Sequence, residues 1–156
     1  MRDPLQTPPT QMLGCRLPAV QTAIGWIATP QLVAASSNAG AFGFLAGAVM
    51  QPNELADAIA EASRLTPHPF GVNFHSFQPG AREIVEIILA HADRVRAVSF
   101  GRGPDGDMIA RFRAAGFENH DLRMRGIDVI QEEHHMAICQ TDHITRAQIV
   151  QRNRLV

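Results

Sequence analysis

Residues 18–47 read PAVQTAIGWIATPQLVAASSNAGAFGFLAG, and the rest of the chain is understood outward from them. The run LPAVQTA ahead of Ile24 and Gly25 is short and apolar and ends in small residues, as a buried strand does where it opens into a loop. A helix follows at once. Thr29 is placed to cap it, and Pro30 stands in the first turn, where its missing N–H would have been unpaired anyway. Leu32, Val33, Ala34 and Ala35 carry the helix to a stop at Asn38, Ala39 and Gly40, so residues 37–40 read as a helix end rather than a binding loop. AFGFLAG is then a second buried strand. Strand, helix and strand in so few residues make a right-handed βαβ unit with parallel strands. Its loops at the carboxyl ends of the strands are built of Gly, Ala and Thr, which let a flat or anionic ligand approach the backbone closely.

The same alternation runs on toward the C-terminus. Pro52 at a first-turn position, with Leu55, Ile59, Ala62 and Leu65 at helical spacing, predicts a helix over residues 52–66. Thr66, Pro67, His68 and Pro69 end it, and FGVNF follows as a third strand with Asn73 at its end. In AREIVEIILAHADR, Ile84, Val85, Ile88 and Leu89 form an apolar stripe with Arg82, Glu83, Glu86 and Asp93 outside it, a third helix. VRAVSFGRG is a fourth strand. DGDMIARFRAAG is a fourth helix, its acidic start suited to the helix dipole and Gly116 to a left-handed C-cap. Unbroken βα succession predicts a parallel α/β fold, open and doubly wound or closed into a barrel. Phe42, Phe44, Phe70, Phe74 and Phe100 fall on its strands and are expected in the core, where a ring at a strand end would also flank a planar ligand.

Outside this region the pattern weakens. Residues 1–11 are rich in proline and polar groups and are expected to form an arm apart from the core. From Phe117 onward no period holds: GIDVIQ reads as a weak strand and TDHITRAQIVQRNRLV as a terminal helix capped by Thr141. A helix running through the tail would bring His135, Cys139 and His143 to one face at i, i+4 and i+8, a spacing that suits zinc. Thr141 and Asp142 read as a helix start inside that window, so no metal is expected there, and no oxyanion donor accompanies these residues for nucleophilic chemistry.

With 156 residues, 46% of them hydrophobic and 19% charged, the chain has the material for one globular domain with a real core. A net charge of −1 argues against nucleic acid as a partner. Every basic side chain is Arg rather than Lys, a compositional habit with no other mark of phosphate recognition, and the absence of Tyr excludes a phenol acid. The two cysteines, Cys15 and Cys139, are too far apart to be a disulfide framework, which leads to the expectation of a reducing, cytoplasmic setting. The start, MRDPLQTPPTQM, lacks the unbroken apolar region of a secretory signal. Residues 17–49 are apolar, but Pro18, Pro30, Asn38 and repeated glycines interrupt any membrane-spanning helix.

Blocks of sequence in order, P-A-V-Q-T-A-I-G, A-T-P-Q-L-V-A-A-S-S-N-A-G-A-F-G-F-L, P-F-G-V-N-F and A-V-S-F-G-R-G, resemble the nitronate monooxygenase family, also called 2-nitropropane dioxygenases. The likeness runs from Leu13 to Gly116. It implies a partial (β/α) TIM-type barrel with about four parallel βα units: an arm over residues 1–11, a flavin-facing half barrel over 12–116, and an irregular, divergent tail over 117–156. It further implies FMN at the carboxyl end of the barrel and oxidation of alkyl nitronates, small molecules, by molecular oxygen. By the same likeness Thr22, Ala23, Ile24 and Gly25 lie against the flavin ring through their backbone, Asn73 hydrogen-bonds the cofactor, and Ser99 and Gly101 sit beside it. Barrel ligands gather on loops after strands, which points independently to the same face.

The family's A-G-G-H motif, whose histidine serves as catalytic base, has no counterpart in this sequence, so no catalytic residue is assigned. Nor are the glycine-rich phosphate loops expected late in such barrels present, and a full barrel takes about 250 residues. Two alternatives therefore stand beside flavin oxidation of nitronates. One is an inactive, truncated barrel remnant that self-associates to cover its open strand edges, a homo-oligomer. The other is kinship with FMN-dependent enoyl-acyl-carrier-protein reductases, which resemble the same blocks.

Overall fold

The structure, a computed structural model, describes residues 3–101, 106–115, 117, 127–132 and 135–140. It divides into two units, residues 1–118 and 119–156.

In the first unit four parallel strands, β1 (Val20–Gln21), β2 (Phe42–Ala46), β3 (Phe70–His75) and β4 (Val95–Gly101), lie in sequence order. The expected parallel alternation is thus present, with helices between successive strands: α2 (Pro30–Asn38), α3 (Pro52–Leu65) and α4 (Ala81–Ala90), with α5 (Gly106–Ala114) after β4. Adjacent strands match Val20 with Phe42, Ala46 with Asn73, and Asn73 with Ser99.

Side chains alternate across a strand, and the burial follows that alternation. Leu45, Val72 and Phe74 point to the helix side and join Val33, Leu55, Ile59, Ile84, Ile88 and Phe112 in the main core. The stripe read from the sequence as the apolar face of α3 is buried at Leu55, Ile59 and Ala62, whereas Leu65, at the last turn, is 37% exposed. Close contact is possible because Gly43 has no side chain: a Cβ there would lie 3.0 Å from the backbone of Val33, so α2 can seat directly on β2.

Local chemistry sets the element ends. Gln51 and Glu54 form a reciprocal capping box at α3, with the Gln51 N–H donating to Glu54 Oε2 at 2.7 Å. Thr29 holds the extended backbone of an N-cap residue, yet its side chain makes no capping hydrogen bond. At the other end of α2, Asn38 donates to the Leu65 carbonyl and accepts from the Thr66 hydroxyl at 2.7 Å, tying the end of α2 to the end of α3. Residues 37–40 thus act as a helix stop, with Gly40 at φ +95°.

Two expectations are corrected. The stretch placed in an N-terminal arm contains a helix, α1 (Pro8–Leu13), capped reciprocally by Thr7 and Thr10 and closed by Gly14 at φ +70°. Prolines that look disordering are harmless in a first turn, where no N–H is needed; Thr10 and Leu13 are buried. The first strand is also far shorter than LPAVQTA. Arg16 and Leu17 both donate to the Gly40 carbonyl instead of entering the ladder, Pro18 has no N–H to give, and the Gln21 side chain takes over one rung by donating to the Phe44 carbonyl at 3.2 Å.

The second unit contains an antiparallel pair, β5 (Ile127–Glu132) and β6 (His135–Gln140), in which Ile127 faces Gln140 and Glu132 faces His135. Residues 127–131 of GIDVIQ are therefore strand, as expected. His135 and Cys139 do not share a helical face: both lie on β6, where four residues of strand separate their backbone positions by about 13 Å. His143 and the terminal helix read from residue 141 onward lie outside the described residues. Among the described residues no helix is long and apolar enough to cross a membrane.

Candidate functional site

The inner face of the sheet, turned away from the helices, changes character from one end to the other. At the amino end α1 closes it: Leu13, Phe42 and Phe44 form a buried cluster, with Met12, Cys15, Val20, Ala23 and Ala97 packed against them. The rings of Phe42 and Phe44 meet edge to face at 5.2 Å. Phe44 lies across Gly71, where an added Cβ would fall 2.3 Å from the ring, so the absence of a side chain at 71 allows this floor to form. Burial pushes the Cys15 thiol above its ordinary pKa, and its Sγ–H donates to the Leu17 carbonyl at 3.3 Å, which makes it part of the floor rather than a nucleophile.

Above this floor comes a polar rung made by Ala46, Asn73 and Ser99 in register. Asn73, 7% exposed, donates through Nδ2 to the Ser99 hydroxyl at 3.0 Å and to the Ser99 carbonyl at 3.3 Å. These bonds set the amide's orientation and direct its Oδ1 away from Ser99; among the described residues the side-chain bonds of this amide are the two it donates. One rung further toward the carboxyl end His75 pairs with Gly101. β3 thus extends past Asn73, where the sequence reading ended it.

The loops that follow β1 and β2 rise at this same carboxyl end. After β1 the chain passes through exposed Thr22 and half-buried Ala23 to Ile24, then makes one tight helical turn over Gly25–Ile27. Gly25 has φ +37° with open space in front of it. The Ala46 N–H donates to the Ala28 carbonyl at 3.3 Å, which pins the end of this loop to the end of β2. After β2 another tight turn, Gly47–Val49, runs so close to β3 that a Cβ on Gly47 would lie 2.7 Å from the Asn73 carbonyl oxygen. The Gln78 side chain donates to the Gly47 carbonyl at 3.2 Å and closes this turn from the β3 side. Between the two loops lies a cleft of about 280 Å³ lined by Gly25, Trp26, Thr29, Met50 and Glu54.

Every residue named from the sequence as a cofactor contact therefore lies at the carboxyl end of one parallel sheet. Asn73 and Ser99 are bonded to each other, Gly101 is the next rung on β4, and Thr22, Ala23, Ile24 and Gly25 form the loop beyond β1. Sequence reading missed His75, Gly47 and Trp26. Counting by twos from Asn73 would have found His75, because a strand returns to the same face every second residue. Gly47 and Trp26 offered no such signal, since their importance lies in what approaches them from other elements.

The sequence matches the family model described as nitronate monooxygenase over residues 6–146. A curated relative from Mycobacterium tuberculosis, a (3aS,4S,5R,7aS)-5-hydroxy-7a-methyl-1-oxo-octahydro-1H-indene-4-carboxyl-CoA dehydrogenase, is 42% identical over 112 residues, covering 72% of this chain and 31% of the relative. A probable nitronate monooxygenase from Staphylococcus aureus is 38% identical over 64 residues, 41% of this chain and 18% of that protein. Among solved structures, FabK from Thermotoga maritima superposes with a TM-score of 0.66 at 32% identity, covering 71% of this chain and 35% of that one. Nitroalkane oxidase from Streptomyces ansochromogenes gives 0.61 at 30% identity, covering 69% of this chain and 40% of that one. The chain thus spans about a third of the length of the curated relatives that match it over most of its own length.

Proposed function

Because this chain belongs to the nitronate monooxygenase family, we propose that its inner sheet face is the flavin-binding part of an oxidoreductase, with FMN held over the Asn73–Ser99 rung and the loop at residues 22–25. The residues present suit such a group. An apolar floor ends in an oriented amide whose acceptor is directed away from Ser99, Gly25 leaves open space before its backbone, and Gly47 brings the β2 loop against β3 without an intervening side chain. The observation that carries the reading is the Asn73–Ser99 pair. A buried amide fixed by two bonds to its neighbour presents its remaining acceptor in a set direction, which is what recognition of a flat heterocycle with ring N–H groups requires.

Bound there, FMN supplies the redox chemistry. The chain's share is to bind the ring through Asn73 and the residue 22–25 backbone, to orient it with Ser99 and Gly101 alongside, and to exclude water from below through Phe42, Phe44 and Leu13. The substrate in this reading is a small alkyl nitronate and the oxidant molecular oxygen, in a reducing, cytoplasmic setting. Self-association accompanies it, with β4, an edge strand of the sheet among the described residues, as the place where a partner strand would pair.

A second substrate reading is favoured by the relatives themselves. The 112-residue matches are to proteins named for a carboxyl-CoA compound, whereas the probable nitronate monooxygenases match over 64 residues, so an acyl-CoA thioester is the other candidate. Titration of the purified protein with FMN, followed by quenching of flavin fluorescence, tests the cofactor reading. Saturable binding that is lost in Asn73→Ala supports it. No binding by the wild-type chain sinks it.

A further inference from the structure

The outermost rung of the inner face carries a group that the cofactor reading leaves unused. His75 lies on the same face as Asn73, two residues further along β3, and its partner across the ladder, Gly101, has no side chain to fill the space beside it. The imidazole lies flat against Phe77, with ring centroids 5.0 Å apart and planes within 9°. Its Nδ1 is buried and, among the described residues, has no hydrogen-bond partner. Backbone contacts hold the residue in place, since the His75 N–H donates to Gln78 Oε1 at 2.8 Å and the same Gln78 anchors the turn after β2. An imidazole nitrogen withdrawn from water without a partner is costly, so such a group in a native fold calls for a ligand or a function.

The geometry points to His75 as a substrate-orienting residue: its Nδ1 donates to an oxygen of the substrate that bears or acquires negative charge, a nitronate oxygen or the carbonyl of an acyl thioester. This rests on the flavin reading, because the inner rung at Asn73 and Ser99 is assigned to the cofactor and the outer rung at His75 and Gly101 is left for what arrives from solvent. Phe77, 60% exposed, stands at that entrance and holds the ring plane. Nitronate and thioester share the chemistry that Nδ1 would recognise, an oxygen one atom removed from the α-carbon that holds the negative charge when that carbon is deprotonated, so the two sources are separated by experiment.

The test uses His75→Phe, which keeps a ring to stack on Phe77 and removes both nitrogens, and His75→Asn, whose amide nitrogen falls near the position of Nδ1. FMN-loaded protein is titrated with propane-2-nitronate in one arm and butyryl-CoA in the other, binding being read from the flavin absorbance. Expected is a loss of about tenfold or more in affinity for one probe in His75→Phe, recovered largely in His75→Asn, as for a hydrogen bond to a charged acceptor. FMN affinity is expected to stay unchanged in both variants. Equal binding of both probes by wild type and His75→Phe, binding of neither probe by wild type, or a parallel loss of FMN affinity would overturn the assignment. If the wild-type chain takes up no FMN, the cofactor reading fails by itself. His75 is then read by imidazole ¹⁵N shifts on adding each probe alone, where a shift at Nδ1 supports the assignment and none refutes it.

Discussion

The Asn73 amide donates to Ser99 through both of that residue's oxygens, the hydroxyl at 3.0 Å and the backbone carbonyl at 3.3 Å, across neighbouring parallel strands. A side chain that bridges a ladder in this way ties the site to the sheet, so a change in one is felt in the other. Asn73→Ala should lower stability by about 1–2 kcal/mol, the cost of an unmade buried hydrogen bond, and should weaken FMN by more than the stability loss accounts for. Asn73→Asp should be worse, because a carboxylate oxygen would face the Ser99 carbonyl. Urea denaturation run beside FMN titration checks both, and an Asn73→Asp variant as stable as wild type would contradict the geometry.

Gly47 makes a sharper demand. An added methyl would sit 2.7 Å from the Asn73 backbone oxygen, which has no flexible end to move aside. Gly47→Ala should therefore cost about 1–3 kcal/mol and displace the β2 loop. Gly106→Ala is the control, since among the described residues nothing lies within 4 Å of a Cβ there, and in the first turn of α5 it should be neutral or mildly stabilising. Thermal melts of the two variants should move apart in that order.

Phe112 tests whether α5 belongs to the same core. Its ring is fully buried between Phe74 at 6.4 Å and Phe100 at 6.1 Å. Phe112→Ala should cost about 3–5 kcal/mol, whereas Phe77→Ala, on an exposed ring, should cost far less. Chemical denaturation of the pair reads the difference directly.

The acid limb of stability contains a small contribution from Glu86, whose carboxyl is held below its ordinary pKa by its hydrogen bond with Arg111, and by that cation's charge. A depressed carboxylate stabilises the fold above its unfolded pKa of about 4.3 and loses that contribution as the pH falls through the lower, folded value. Both partners are on the surface, so the effect is minor and weakens with salt. Melting temperature followed from neutral to acid pH should fall slightly less steeply in Glu86→Gln than in wild type at low ionic strength, and the two curves should converge in high salt.

Much of this architecture was legible before any coordinates. Helix α3 announced itself through Pro52, Leu55, Ile59 and Ala62, and α4 through Ile84, Val85 and Ile88, because a 3.6-residue period and a first-turn proline are local facts. The parallel order followed from alternation, since strands joined by helices have to run the same way. Asn73, Ser99 and Gly101 were named from resemblance in short strand blocks. The arm was misread because Pro8 and Pro9 in isolation look like a chain that cannot pack, and only the capping of Thr7 by Thr10 and the burial of Leu13 beneath Phe42 and Phe44 show otherwise.

By itself the sequence determined the succession of elements from β1 to α5 and the buried faces of α3 and α4, because periodicity, capping and connection rules act within a few residues of chain. Only the tertiary structure decided that Asn73 and Ser99 bond to each other, that Gly47 touches the backbone of β3, and that one nitrogen of His75 is buried without a partner among the described residues. Those relationships join residues up to 26 positions apart, and they depend on strand register and packing distance, which no local pattern records.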